Sequence, residues 1–291
     1  MSHARRLRAQ LAAPDTLVAP GCFDGLTALL VEQAGFECAY LSGASIAFTR
    51  LGRPDIGLVT MTEVAGVVGN IRERIDIPLI VDADTGFGNA LNVQRTVRLF
   101  ERMGASGIQL EDQTLPKRCG HLDGKTLAPV GEMLGKIRAA QDARRDDDTV
   151  IVARTDAIAV TGLDEALERG NAYIEAGADV LFVESPLDDE QLAVIGRTFG
   201  TRIPLLANMV EGGKTPLHGA DELAALGYKL VIFPGAMLRM ISRAGAEYLA
   251  ALRRDGTTAG IMDRMFDFAT MNDVIGTGEL LADGDRYSED S

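Results

Sequence analysis

Pro78-Leu79-Ile80-Val81-Asp82-Ala83-Asp84 is the segment on which the fold turns. It is apolar on both faces, too short for a helix, and closed by acid. A parallel strand covered on both sides reads this way. Seven further runs share its character, at residues 16–20, 38–42, 107–111, 149–154, 179–184, 204–208 and 228–233. Amphipathic helical stretches lie between them. Residues 163–176 show it well, with Leu163, Ala166, Leu167, Gly170 and Ile174 on one stripe. Several such stretches end alike, in Gln33-Ala34-Gly35, Arg102-Met103-Gly104 and Glu175-Ala176-Gly177, each with a glycine suited to a left-handed cap. Eight strands alternating with helices predict a single (β/α)8 barrel of the TIM type. A doubly wound open sheet ranks lower, because no Gly-x-Gly-x-x-Gly turn follows any run and the count is eight.

Composition narrows the function. The 291 residues are 46% hydrophobic and 24% charged, enough for a well-packed core. A net charge of −13 argues against a nucleic-acid or anionic-membrane surface. An anionic substrate therefore needs local positive charge or a metal. Three cysteines, Cys22, Cys38 and Cys119, show no paired spacing, which fits a reducing cytoplasm and no disulfide framework. The N-terminus is basic without a long apolar stretch behind it, so neither a signal peptide nor a membrane span is expected.

A barrel places its chemistry at the C-terminal ends of its strands. Six of the eight runs end there in polar or charged groups: Ser42-Gly43, Asp82 with Asp84, Glu111, Arg154, Glu184 and Asn208. Residues two apart on an extended strand point the same way, so Asp82 and Asp84 are expected side by side. Two such carboxylates call for a cation, and a hard, oxygen-preferring ion such as Mg²⁺ fits, with Mn²⁺ as an alternative. Glu111 is placed to join in its outer shell, and no His/Cys cluster has zinc spacing. Beyond Glu111 comes Lys117-Arg118-Cys119-Gly120-His121. Lys117, Arg118 and a protonated His121 would each favour a Cys119 thiolate, and Gly120 leaves room beside the sulfur.

These segments carry a resemblance. Tyr40-Leu41-Ser42-Gly43-Ala44, Val81-Asp82-Ala83-Asp84-Thr85-Gly86-Phe87-Gly88, Gln109-Leu110-Glu111-Asp112 and Lys117-Arg118-Cys119-Gly120-His121 resemble the isocitrate lyase/phosphoenolpyruvate mutase superfamily. The likeness runs on through Ala153-Arg154-Thr155-Asp156, Val183-Glu184 and Asn208-Met209. In length the chain resembles the short bacterial lyases acting on 2-methylisocitrate or 2,3-dimethylmalate. The resemblance implies a barrel over residues 1–254. It also implies a last helix exchanged with a neighbouring subunit, in homotetramers built as dimers of dimers. Residues 255–272, with Ile261, Met265, Phe266 and Phe268, are the expected interface helix of a 255–291 segment whose acidic tail after Glu279 reads as disordered.

The resemblance also implies roles. Asp84 would stand closest to the metal, with Asp82 and Glu111 acting through bound water. Ser42, Gly43 and Ala44 would meet a substrate carboxylate, and Arg154 would hold a second oxyanion. Asp55 would contribute from its loop, and Glu184 and Asn208 would complete the polar wall. Lys117, Arg118, Gly120 and His121 would close over the ligand. The implied reaction is cleavage of a 2-hydroxy di- or tricarboxylate into a 2-oxo acid such as pyruvate and a carboxylate such as succinate. Cys119 would be the general acid, with Tyr40 a candidate for the hydroxyl-side base. Residues 208–216 look more like the broad 2-alkylmalate lyases than the propionate-pathway enzyme. A carboxyphosphonoenolpyruvate or phosphoenolpyruvate mutase, or an oxaloacetate hydrolase or decarboxylase, is the alternative.

Overall fold

The structure is a computed structural model that describes residues 1–288. Eight parallel strands close into a barrel in chain order, each hydrogen-bonded to the next and the eighth to the first. They are β1 (Leu17–Cys22), β2 (Ala39–Leu41), β3 (Leu79–Asp82), β4 (Gly107–Glu111), β5 (Val150–Thr155), β6 (Val180–Val183), β7 (Leu205–Asn208) and β8 (Leu230–Phe233). All eight sequence runs are strands. The three glycine-terminated helices end as expected, with φ of 86° at Gly35, 96° at Gly104 and 101° at Gly177.

Strand alternation builds two cores. Tyr40, Ile80, Val152, Phe182, Leu206 and Ile232 fill the barrel interior, and Leu7 and Leu11 of the helix His3–Ala12 pack into the same cluster. The residues between them, such as Leu41, Val81, Ile108, Ala153 and Leu181, pack outward with the helices. Continuing the inward parity brings Ser42, Asp82, Glu111, Arg154, Glu184 and Asn208 to the barrel mouth. The register that fills the core therefore also assembles the polar ring.

The helix Leu163–Glu175 carries its expected stripe, with Ala166 and Gly170 buried and Leu163, Leu167 and Ile174 partly buried against the outer core. Arg169 and Tyr173 are buried beside the stripe, for a polar reason. Asp112 Oδ2 accepts hydrogen bonds from Tyr173 Oη at 2.7 Å, Thr155 Oγ1 at 2.7 Å and Arg169 at 3.2 Å, and this network draws both helix residues inward.

The barrel forms one compact unit, Met1–Met237, and a second begins at Leu238. No single helix spans 255–272 in this second unit. The helix Ala236–Asp255 ends before Gly256, whose φ is 65°, a 3-10 turn covers Ala259–Arg264, and Asp267 caps a new helix, Phe268–Ile275. The tail expected to be disordered is helical over Thr277–Asp285; its last residues, 289–291, lie outside the described residues. No helix among the described residues is long and apolar enough to cross a membrane.

Candidate active site

The acidic side of the mouth gathers around Gly43. β3 ends at Asp82, and Asp84 follows in a left-handed conformation, φ 48°, so the two do not alternate along one strand as expected. A turn brings them together instead, with the Asp84 N–H donating to Asp82 Oδ1 at 3.1 Å. A Cβ built on Gly43 would lie 3.0 Å from Asp82 Oδ2 and 3.6 Å from Asp84 Oδ1, so glycine leaves open the space both carboxylates face. The Lys117 ammonium sits 2.5 Å from both Asp84 Oδ1 and Asp55 Oδ1. Burial alone would depress its pKa, but Asp84, Glu111, Asp55 and Asp82 together hold it well above the usual lysine value. Desolvation still lifts the Asp84 carboxyl to about 7 against the pull of Lys117.

A cation fits this corner. The donors are all carboxylate oxygens, and Glu111 Oε1 is buried with no hydrogen-bond partner. No three His, Cys, Asp or Glu side chains among the described residues converge as a ready-made cage. An ion held by one or two carboxylates and several waters, as Mg²⁺ usually is, needs no such cage. Tyr40 lies beneath. Its hydroxyl donates to Gln109 Oε1 at 2.9 Å, and Gln109 Nε2 donates to Asp82 Oδ1 at 3.2 Å. Burial and the Asp82 charge hold the phenol well above its ordinary pKa. Here Tyr40 keeps its proton and orients the Gln109–Asp82 pair, an arrangement that does not favour the base role.

Arg154 organises the opposite side. Its guanidinium meets Asp156 through two hydrogen bonds and reaches Glu111 Oε2 and Glu184 Oε2, each at 3.3 Å, while stacking over the Phe182 ring. Glu184 also accepts from Asn208 Nδ2 at 3.1 Å and Ser185 Oγ at 3.0 Å. Ser42 caps the short helix Gly43–Ile46, its Oγ accepting from the Ser45 N–H at 3.2 Å. Gly43 and Ala44 supply first-turn N–H groups at that helix start.

The Cys119 loop lies down on this array. The Cys119 N–H donates to the Asp55 carbonyl at 3.1 Å, and Gln113 clamps Arg118 through its carbonyl and its N–H. A Cβ on Gly120 would come within 2.4 Å of Arg154 and 2.7 Å of Glu184, so only glycine allows this approach. His121 Nδ1 accepts from the Lys214 N–H at 3.0 Å, which leaves the ring proton on Nε2, 3.5 Å from Glu184 Oε1.

The thiolate expectation is overturned here. Burial, with Asp55 and Glu184 nearby, raises the Cys119 pKa above its usual value. The three cations that were to lower it are engaged elsewhere. Lys117 serves Asp55 and Asp84, Arg118 points Nη1 at the Asp123 carbonyl at 2.9 Å, and burial lowers the His121 pKa towards the neutral ring. Cys119 is a held thiol, the form a proton donor needs.

Sequence reasoning gave no role to Asp156, Lys125, Gln109 and Ser185. Asp156 had a readable signal, since it stands two residues beyond Arg154 on the same strand line. Lys125 had none.

Fold and site together define a (β/α)8-barrel enzyme whose mouth pairs an acidic, cation-seeking corner with an arginine hub under a cysteine loop. A family profile described as phosphoenolpyruvate phosphomutase matches residues 7–253. The 2,3-dimethylmalate lyase of Eubacterium barkeri is 48% identical, over 96% of this chain and 96% of that protein. The 2-methylisocitrate lyase of Aeropyrum pernix is 46% identical, over 93% and 86%. The crystal structure of phosphonopyruvate hydrolase in complex with oxalate and Mg²⁺ superposes with a TM-score of 0.89 at 33% identity, over 99% of each chain. The chain belongs to the phosphoenolpyruvate mutase/isocitrate lyase superfamily, whose lyase members are carbon–carbon lyases.

Proposed function

We propose that this protein is a Mg²⁺-dependent carbon–carbon lyase that cleaves a 2-hydroxy di- or tricarboxylate of the 2-alkylmalate or 2-methylisocitrate type. The products are a 2-oxo acid such as pyruvate and a simple carboxylate such as succinate. The observation that carries the reading is the Cys119 loop seated on the arginine hub, with Gly120 against Arg154 and Glu184 and burial raising the neighbouring Cys119 pKa. Bond cleavage leaves a carbanion that needs one proton, and a thiol is an apt donor where a thiolate would not be.

Asp84, Asp82 and Glu111 are the residues that would hold the ion, a reading supported by their oxygen donors and by the Mg²⁺ in the related hydrolase structure. Bound there, it would neutralise developing oxyanion charge on the oxo-acid fragment. The residues do the rest. Ser42, Gly43 and Ala44 receive a substrate carboxylate, and Asp55 orients Lys117. The Arg154 face steadies the second oxyanion. A carboxylate of the acidic corner takes the hydroxyl proton, the bond between C2 and C3 breaks, and its electron pair stays on C3. Cys119 Sγ then gives its proton to that carbon, while His121, Arg118 and Gly120 keep the loop closed and water out.

We place the assembly, by the same family likeness, as a homotetramer built from two dimers. Exposed apolar side chains in the second unit support association, among them Phe268 at 87% and Leu280 at 74% exposure. The reading is tested by a panel assay of 2-oxo acid release from 2,3-dimethylmalate, 2-methylisocitrate, isocitrate, citramalate and oxaloacetate with Mg²⁺. Release from one of the first two, well above the others, supports it. Inertness towards all five alongside turnover of a phosphonate or phosphoenolpyruvate substrate would move the protein to the mutase branch.

A further inference from the structure

The loop that carries Cys119 is fastened from beneath by one buried cation. Lys125, 7% exposed, contacts the Gly120 carbonyl with its ammonium, which lies 3.1 Å from Asp156 Oδ1. An ammonium is not buried without compensation, and here one carboxylate and one carbonyl supply it. The same Asp156 carboxylate aims Arg154, through Nε at 2.9 Å and Nη2 at 3.0 Å. Asp156 is itself pinned, its backbone N–H donating to Asp112 Oδ1 at 2.9 Å. Gly120 has one other donor to its carbonyl, Ser185 Oγ at 3.3 Å. Lys125 thus joins the Cys119 loop to the carboxylate that orients the guanidinium.

We propose that Lys125 is a positioning residue that couples closure of the Cys119-Gly120-His121 loop to the orientation of Arg154. With the loop down, one ammonium ties the Gly120 carbonyl to the carboxylate that aims the guanidinium. With the loop lifted, Asp156 loses that cation and Arg154 loses a fixed partner.

The turnover part of the test rests on the lyase reading above, and the labelling part does not. Lys125→Met in the full chain keeps the apolar stem and removes the charge. Iodoacetamide labelling of Cys119 should rise by about tenfold, with Cys22 and Cys38 unchanged, and kcat should fall roughly 10- to 100-fold with a smaller change in KM, the worth of a buried hydrogen bond to a charged group. Losing a nearby cation would by itself raise the thiol pKa and slow labelling, so faster labelling reports an opened loop. Lys125→Gln, which keeps a donor for Gly120 without the charge, should fall between. Wild-type labelling and kcat in both variants overturns the proposal. So does a parallel rise in labelling at all three cysteines, which would make Lys125 a general stabiliser. If the wild type cleaves no panel substrate, the lyase reading fails while the labelling contrast still decides the latch.

Discussion

Arg154 grips Asp156 through two nearly parallel hydrogen bonds, Nε to Oδ2 at 2.9 Å and Nη2 to Oδ1 at 3.0 Å. Glu111 and Glu184 are ion-pair partners of the same guanidinium, each at 3.3 Å. Arg154 is therefore a hub that sets the geometry of three acids. Lysine keeps the charge but not the fork, so Arg154→Lys should cut kcat/KM by roughly 10²–10³ and lower the melting temperature. Steady-state kinetics and a thermal melt check this. A variant within a small factor of wild type would contradict the hub.

The pH dependence of Cys119 labelling follows from its burial. A pKa raised above the ordinary cysteine value of about 8.5 leaves the thiol protonated at neutral pH, and only the thiolate alkylates. Labelling should be slow at pH 7 and still climbing at pH 9. Cys22 is pushed further up and Cys38 to about 12, both fully buried, so they should label more slowly still. A labelling rate that levels off below pH 7 would restore the thiolate.

Chelation tests the acidic corner. EDTA should abolish turnover, and Mg²⁺ or Mn²⁺ should restore it without zinc. Saturating Mg²⁺ should also raise the melting temperature of the chelated protein, since a ligand that binds only the folded state stabilises it. Asp84→Asn should lose both responses. Full activity in a metal-analysed, chelated sample counts against the site.

The Asp112 network predicts a stability effect away from the chemistry. Tyr173→Phe removes one of the donors to a buried carboxylate. It should cost about 1–2 kcal/mol, a fall of roughly 2–6 °C in melting temperature, read by calorimetry. No change would mean that Thr155 and Arg169 already satisfy Asp112.

Much of this was legible in the chain. The strands declared themselves as continuous apolar runs because a parallel barrel strand is covered on both faces. The polar ring was legible because strand parity carries it out of the core, from Tyr40 to Ser42, Ile80 to Asp82 and Val152 to Arg154. What failed was local inference about charge. Lys117 stands two residues from Cys119, yet its ammonium is claimed by Asp55 and Asp84 from two other elements. The burial of Arg169 and Tyr173 beside the stripe of Leu163–Glu175 was not legible for the same reason, since the Asp112 that holds them is 57 residues from the nearer of them. Lys125 meets Asp156 across 31 residues of chain, and no spacing rule announces such a pair.

The proton from Cys119 to the freed carbon is the central step, and its product can be read directly. With 2,3-dimethylmalate or 2-methylisocitrate, whichever the panel selects, turnover in D₂O with Mg²⁺ should give pyruvate and a carboxylate carrying one deuterium on the carbon that lost the bond, as seen by NMR. Cys119→Ser should bind the substrate and form these products roughly 10²–10⁴ times more slowly. Cleavage by Cys119→Ser at the wild-type rate, with the same deuterium incorporated, would contradict the account.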